Sequence, residues 1–283
     1  MNRKQSEKFN PGIGATKDLS LRVSVATLVR VLFDHPDTGD LILALERKAT
    51  LLEGQYGHFV DVKSQPFGGA IQILDPTALQ DIVGEYHFDN EQSYREQDFR
   101  LFIRPSAWEA VRQFCWRQFT LADDDVIESG PRRELTEEFA NTLKIDLRND
   151  QYTSQSVGTI LEATPSPTEN FYARGYPTVR IYHLFEVRIR DPFVMHLMFT
   201  SSSRYTDQDL RELALQDFQN GGYGWYNAVL TLPMSAISTT YLSLSPEARN
   251  HPMSLQNHQL DGTVAAILDD ITVPKYQKML LKN

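Results

Sequence analysis

A single cysteine, Cys115, stands in 283 residues, so neither a disulfide framework nor a thiolate zinc site can be built from this chain alone. Long apolar runs are missing too, and Met1-Asn2-Arg3-Lys4 opens into polar sequence rather than an apolar core. Those features give no sign of a membrane span or a secretory leader, and the resulting expectation is a cytoplasmic protein with no membrane partner. Positive charge is in short supply: 28 Lys and Arg against 37 Asp and Glu leave a net charge of −9. Because nucleic-acid affinity comes mainly from cations neutralising phosphates, no nucleic-acid partner is expected. No Pro-, Gly- or Ser-rich linker divides the chain, and no repeat is visible.

Apolar material, in contrast, is plentiful. The chain is 41 % hydrophobic with 15 Phe and 12 Tyr, ample for one large core. The organisation expected is a flexible N-terminal segment over residues 1–20 and a single decorated domain over 21–283. Leu21 to Phe33 is strand-like, Asp37-Thr38-Gly39-Asp40 reads as a turn, and Leu41 to Leu45 continues as a second strand. A third apolar segment, Tyr56 to Val62, leads to Pro66-Phe67-Gly68-Gly69-Ala70-Ile71, where paired glycines allow close backbone approach.

The most informative run is Arg133-Glu134-Leu135-Thr136-Glu137-Glu138. On a helix Glu134, Glu137 and Glu138 fall at i, i+3 and i+4 and crowd one face, while Leu135, Phe139 and Leu143 line the other. Carboxylates that close repel one another unless a cation sits among them, and an all-oxygen cluster suits Mg²⁺ or Mn²⁺. A solvated acidic face is the ordinary alternative. Gly130-Pro131 just upstream places the helix start at Ser129 as N-cap, and the positive end of the helix dipole is expected to lower the carboxylate pKa values.

A Val/Leu hairpin, a Gly-Gly turn and a helix bearing this run resemble the Nudix hydrolase family, whose signature is G-x5-E-x7-R-E-U-x-E-E-x-G-U, with U aliphatic. Arg133 to Glu138 fill R-E-U-x-E-E position by position, and Asp125 stands eight residues before Arg133 where the family has Glu. Phe119 falls at the signature glycine when the spacing is ungapped, so the glycine is assigned to Gly68-Gly69 across an insertion at about 74–122. Ala140 and Asn141 replace the final glycine and aliphatic residue. Strand-like stretches at Val157–Ala163 and 178–188, a Trp225-containing strand and an amphipathic helix from Gly262 to Ile271 complete the likeness.

The resemblance implies an α/β (α+β) fold, an α/β/α sandwich with a mixed sheet, here carrying a helical insertion. It implies Mg²⁺- or Mn²⁺-dependent hydrolysis of a nucleoside diphosphate linked to another moiety, with a small nucleotide-derived substrate. Glu137 and Glu138 would be the main metal ligands, Glu134 a third ligand or the group positioning water, and Arg133 the residue orienting the cluster. A Gly68 or Gly69 carbonyl would complete the metal shell. Glu212, with Asp217 and Glu169 as rivals, would be the general base, and Arg47, Gly68, Arg180 and Tyr182 would touch substrate. Trp225 is expected in the core, and His183 and His196 on strands, without metal roles. Ser106-Ala107-Trp108-Glu109 opens a helix through Phe119 in the insertion, whose role as lid, homodimer contact or ornament stays open. The alternative function is a Nudix-like module that binds a nucleotide metabolite or a protein.

Overall fold

Alternation of apolar residues from Leu21 onward makes one long strand with two buried faces, and the molecule is organised around it. A computed structural model describes residues 11–54, 57–122, 124–162, 165–166, 173–245, 252–268 and 276–279. In chain order the first strands are β1 (Gly12–Ile13), β2 (Leu21–Asp34), β3 (Leu41–Gly54) and β4 (Gly57–Gln65). The insertion follows with α1 (Pro76–Val83), β5 (Tyr86–Phe88), α2 (Glu91–Glu96), β6 (Arg100–Ile103) and α3 (Trp108–Leu121). Next come α4 (Arg132–Leu143), β7 (Tyr152–Glu162), β8 (Thr178–Ile189), α5 (Pro192–Arg204), α6 (Asp207–Gln219), β9 (Trp225–Pro233) and α7 (Met234–Ser243). The short β10 (Met253–Leu255), β11 (His258–Leu260) and β12 (Tyr276–Met279) end the series.

The sheet is mixed and the fold belongs to the α+β class. β2 runs parallel to β8 along most of its length, and antiparallel to β6 at its start and β3 at its end. β3 hands its edge from β2 to β4 and pairs β9 on the other side. Helices cover both faces. Val29, Val31 and Phe33 of β2 pack with Leu135 and Phe139 of α4 and with Val194 and Met198 of α5. On the opposite face Leu28 and Leu32 meet Ile237 and Tyr241 of α7 and a C-terminal turn carrying Val264 and Ile267. Among the described residues no helix is long and apolar enough to cross a membrane.

The insertion leaves and returns through a neck. Ile73 bridges Ile127, and the N–H of Leu74 donates to the carbonyl of Val126 at 2.8 Å. It therefore spans 74–126, slightly more than expected, and its closure brings the Gly-Gly turn directly onto α4. Within it α3 begins at Trp108 after a 3-10 turn at Pro105–Ala107 and has no side-chain cap, so the Ser106-x-x-Glu109 spacing, which matches a capping box, does not form one.

Four other expectations are corrected. Residues 11–20 are attached rather than loose, since β1 pairs β5 and Leu19 is buried. α4 starts at Arg132, because Ser129 is held by Asp124 instead of capping the helix. The C-terminal segment forms a 3-10 helix over Gly262–Ile267, not an α-helix, and 269–271 lie outside the described residues. His196 sits on α5, not on a strand.

Candidate functional site

β4 ends at Gln65 and runs on along the edge of β2, bridging Val29 with Phe67 and Ala26 with Ala70. Two glycines make that approach feasible. At Gly68, φ is +134°, and a Cβ would lie 2.1 Å from the carbonyl oxygen of Thr27. At Gly69 a Cβ would lie 2.2 Å from Oε2 of Glu134, so only a residue without a side chain lets this carboxylate settle there. The Gly69 carbonyl, expected to complete a metal shell, accepts the N–H of Thr27 at 2.9 Å. Gly68, expected against substrate, is pressed onto β2. The paired glycines serve contact within the protein.

Arg133 is the hub of α4. Its Nη2 donates to the carbonyl of Ala70 at 2.8 Å and to Oε1 of Glu134 at 2.5 Å. Nε donates to Glu128 at 3.1 Å, and Nη1 reaches Glu137 at 3.1 Å. Burial disfavours the guanidinium charge, yet Glu134, Glu128 and Glu137 outweigh it and raise its pKa. Glu128 therefore anchors the arginine, while Asp125, at the position where the family has Glu, is exposed. Sequence spacing does not mark Glu128, which lies five residues before Arg133; it reaches the arginine because the neck returns the chain beside the glycines at this point.

The carboxylates do not behave as the helix dipole alone suggests. Burial raises Glu134 to about 7 despite Arg133 beside it. Glu138 goes higher, to about 9, through burial first and then the adjoining carboxyl of Glu46. Desolvation thus outweighs the dipole at both positions.

Glu46 is the residue that sequence reading missed. Ile42 and Ala44 face α4, and two residues on, Glu46 points the same way from β3, fully buried. Gln65 Nε2 donates to it at 2.9 Å and Asn227 Nδ2 at 2.7 Å. Oε2 of Glu138 is buried and receives no hydrogen bond among the described residues. Two buried carboxyls in contact need a shared proton or a cation between them.

Of the expected ligands, Glu134, Glu137 and Glu138 share α4 but point to different partners: the first two to Arg133, the third to Glu46. Among the described residues no three His, Cys, Asp or Glu side chains converge on a single point as a ready cation site. The donor set nevertheless fits a hard divalent ion, being all oxygen and including an acidic pair with an orphaned buried acceptor.

Other expected site residues lie elsewhere. Arg47 is buried and structural, donating to Asp207 and to the Tyr205 carbonyl and so tying β3 to the start of α6. Arg180 and Tyr182 alternate onto the face of β8 away from α4; Tyr182 is in the core, and Arg180 donates to Ser166 at 2.8 Å. Glu212, the expected base, is exposed on α6 and accepts from Gln208 at 2.8 Å. That helix packs through Leu210 and Ala214 onto Ala49 and Ala228, on the sheet face opposite α4. Asp217 accepts from the N–H of Gly224 at 2.9 Å and shapes the turn before β9. Glu169 lies outside the described residues. Trp225, expected in the core, is 40 % exposed, with Lys48 Nζ 5.5 Å from its ring centroid.

A cavity of about 840 Å³ is lined by Lys48, two residues beyond Glu46 on β3, by Tyr223 and Trp225, and by α2 with the residue before it. Its Lys48 lies near enough to Glu138 for its charge to favour the ionised carboxylate. No family model matches the chain, and no curated protein or solved structure matches it.

Proposed function

We propose that this chain is a Nudix-type hydrolase that cleaves the phosphoanhydride of a nucleoside diphosphate linked to another moiety, with Mg²⁺ or Mn²⁺ as cofactor. The observation that carries the reading is the pairing of buried Glu46 with half-buried Glu138, whose Oε2 is an orphaned buried acceptor, beside a glycine-seated Glu134 that Arg133 orients. A binding surface has little physical need to bury two mutually repelling carboxyls next to a third. Glu46 and Glu138 would hold the ion, and Glu137 would join them only on leaving Arg133. When bound, the ion would neutralise phosphate charge and make the attacking water more acidic.

The chain's own groups divide the remaining work. Arg133 fixes Glu134 through a 2.5 Å hydrogen bond and is itself fixed by Glu128 and the Ala70 carbonyl. Glu134 accepts the proton of the attacking water. The water oxygen forms its bond to phosphorus as the bridging P–O bond breaks, and that electron pair leaves on the departing phosphate. Lys48, at the mouth of the cavity, offsets the charge of the diphosphate. The net charge of −9 favours a small substrate over a polyanion, and a lone buried cysteine suits the reducing cytoplasm.

A second reading, a module that binds a nucleotide metabolite or a protein without turnover, is favoured by one observation: Glu134 and Glu137 are both engaged by Arg133. Turnover of a panel of diphosphate-linked nucleotides with Mg²⁺ or Mn²⁺ separates the two. The hydrolase reading expects activity that chelation abolishes and that Glu46→Gln and Glu138→Gln each lower by about a hundredfold. Nucleotide binding without turnover, unchanged in both variants, would establish the module instead.

A further inference from the structure

The 840 Å³ cavity is walled on one side by the insertion, and its opposite wall carries two large aromatic side chains. Tyr223 is 90 % exposed and Trp225 40 % exposed, two residues apart across the positive-φ Gly224. Single exposed apolar residues are ordinary, but neighbouring rings that open into one cavity form a platform. The facing wall, Asn90 to Glu96 on and before α2, offers only polar and charged groups: Asn90, Glu91, Gln92, Arg95 and Glu96. Arg95 is held loosely, 4.0 Å from Glu91. The volume falls within the range of pockets that take nucleotide-sized ligands.

Lys48 connects this platform to the acidic pair. Its ammonium lies over the Trp225 ring, and its charge acts on Glu138 two helical turns into α4. A ligand with a flat aromatic group at one end and phosphates at the other matches that order: ring on Tyr223 and Trp225, phosphates at Lys48, reacting centre at the carboxylates. We propose that this cavity seats the nucleobase of a nucleoside diphosphate by stacking on Tyr223 and Trp225, and that the insertion is the wall that encloses it. Stacking tolerates any base face, so the hydrogen-bonding groups of α2 are the selective side. This seat rests on the reading of a nucleoside diphosphate substrate, but it is a binding claim and can be tested without turnover.

Calorimetric titration of the full chain with ADP and, separately, with inorganic pyrophosphate measures what the base adds. The expected result is that ADP binds about tenfold or more tightly than pyrophosphate. Tyr223→Ala and Trp225→Ala should each weaken ADP by about five- to tenfold while leaving pyrophosphate within twofold, and Tyr223→Phe should restore ADP affinity. Because Tyr223 is nearly fully exposed, its variant folds even if that of Trp225 does not. Equal affinity for the two probes, or ADP binding untouched by Tyr223→Ala, overturns the seat, whether or not hydrolysis occurs. If ADP binding responds as expected while no panel compound is cleaved, the seat stands and the hydrolase reading fails.

Discussion

Gly69 shows how little space separates a seated carboxylate from a displaced one. A methyl group there would stand 2.2 Å from Glu134 Oε2, and the side chain can move only by leaving Arg133. Gly69→Ala is therefore expected to cost at least tenfold in turnover of a diphosphate-linked nucleotide, with melting temperature lowered by only a few degrees. Gly68→Ala makes the opposite case. Its Cβ would meet a backbone oxygen at 2.1 Å, in a backbone conformation with φ +134°, and backbone cannot swing aside. A loss of about 3 kcal/mol in denaturant unfolding is expected there. If the two variants affected stability alike, Gly69 would be serving the strand edge rather than Glu134.

Secondary structure with strong periodicity is legible in the sequence: β2, the start of β3, β8, and the apolar stripe of α4 through Leu135 and Phe139. The acidic run is legible for the same reason, since helical spacing alone puts its carboxylates together. Glu46 and Glu128 are not. Glu46 meets α4 only once the register of β3 against β9 sets which residues face the helix, and Glu128 reaches Arg133 only through the neck at Ile73 and Ile127. Short elements of the insertion, such as β5 and α2, take their form from tertiary packing and carry little signal of their own. His183 is another product of packing: β8 places it under α3, with its ring stacked 4.3 Å from Phe119 and its Nε2 sharing a 2.9 Å hydrogen bond with Ser156. Burial lowers its pKa to about 4 from an ordinary 6.5. Below pH 6.5 the unfolded chain takes up a proton that the folded chain refuses until about pH 4. Stability is therefore complete above 6.5 and is lost as the pH falls toward 4. Unfolding at pH 5 should cost about 2 kcal/mol less than at pH 7, and His183→Leu should flatten this part of the pH dependence. An unchanged slope in that variant would show that the ring is hydrated in solution.

Three apolar clusters share one strand, and this decides how the protein should unfold. The start of β2 supplies Leu21, Val23 and Val25 to the core of the insertion, its middle supplies Leu28 and Leu32 to the α7 side, and its end supplies Val29, Val31 and Phe33 to α4 and α5. A buried ion pair, Arg22 with Asp89 at 2.7 Å, fastens the insertion to the same strand. The neck is narrow enough that a short linker could join residue 73 to residue 127, so an insertion that served only as ornament would be removable. The packing argues otherwise. Removal would uncover Leu21, Val23, Val25, Ile71, Val179 and Ile181 together, at roughly 10 kcal/mol for six such side chains, comparable to the whole stability of a typical domain. The intact chain is expected to unfold in one calorimetric transition, and a version with 74–126 replaced by glycines should aggregate or show no cooperative melt. A soluble, sharply melting excised protein would mean that the insertion core is independent of β2. It would then be only the wall of the cavity, and its loss should weaken ADP while sparing the acidic pair on α4.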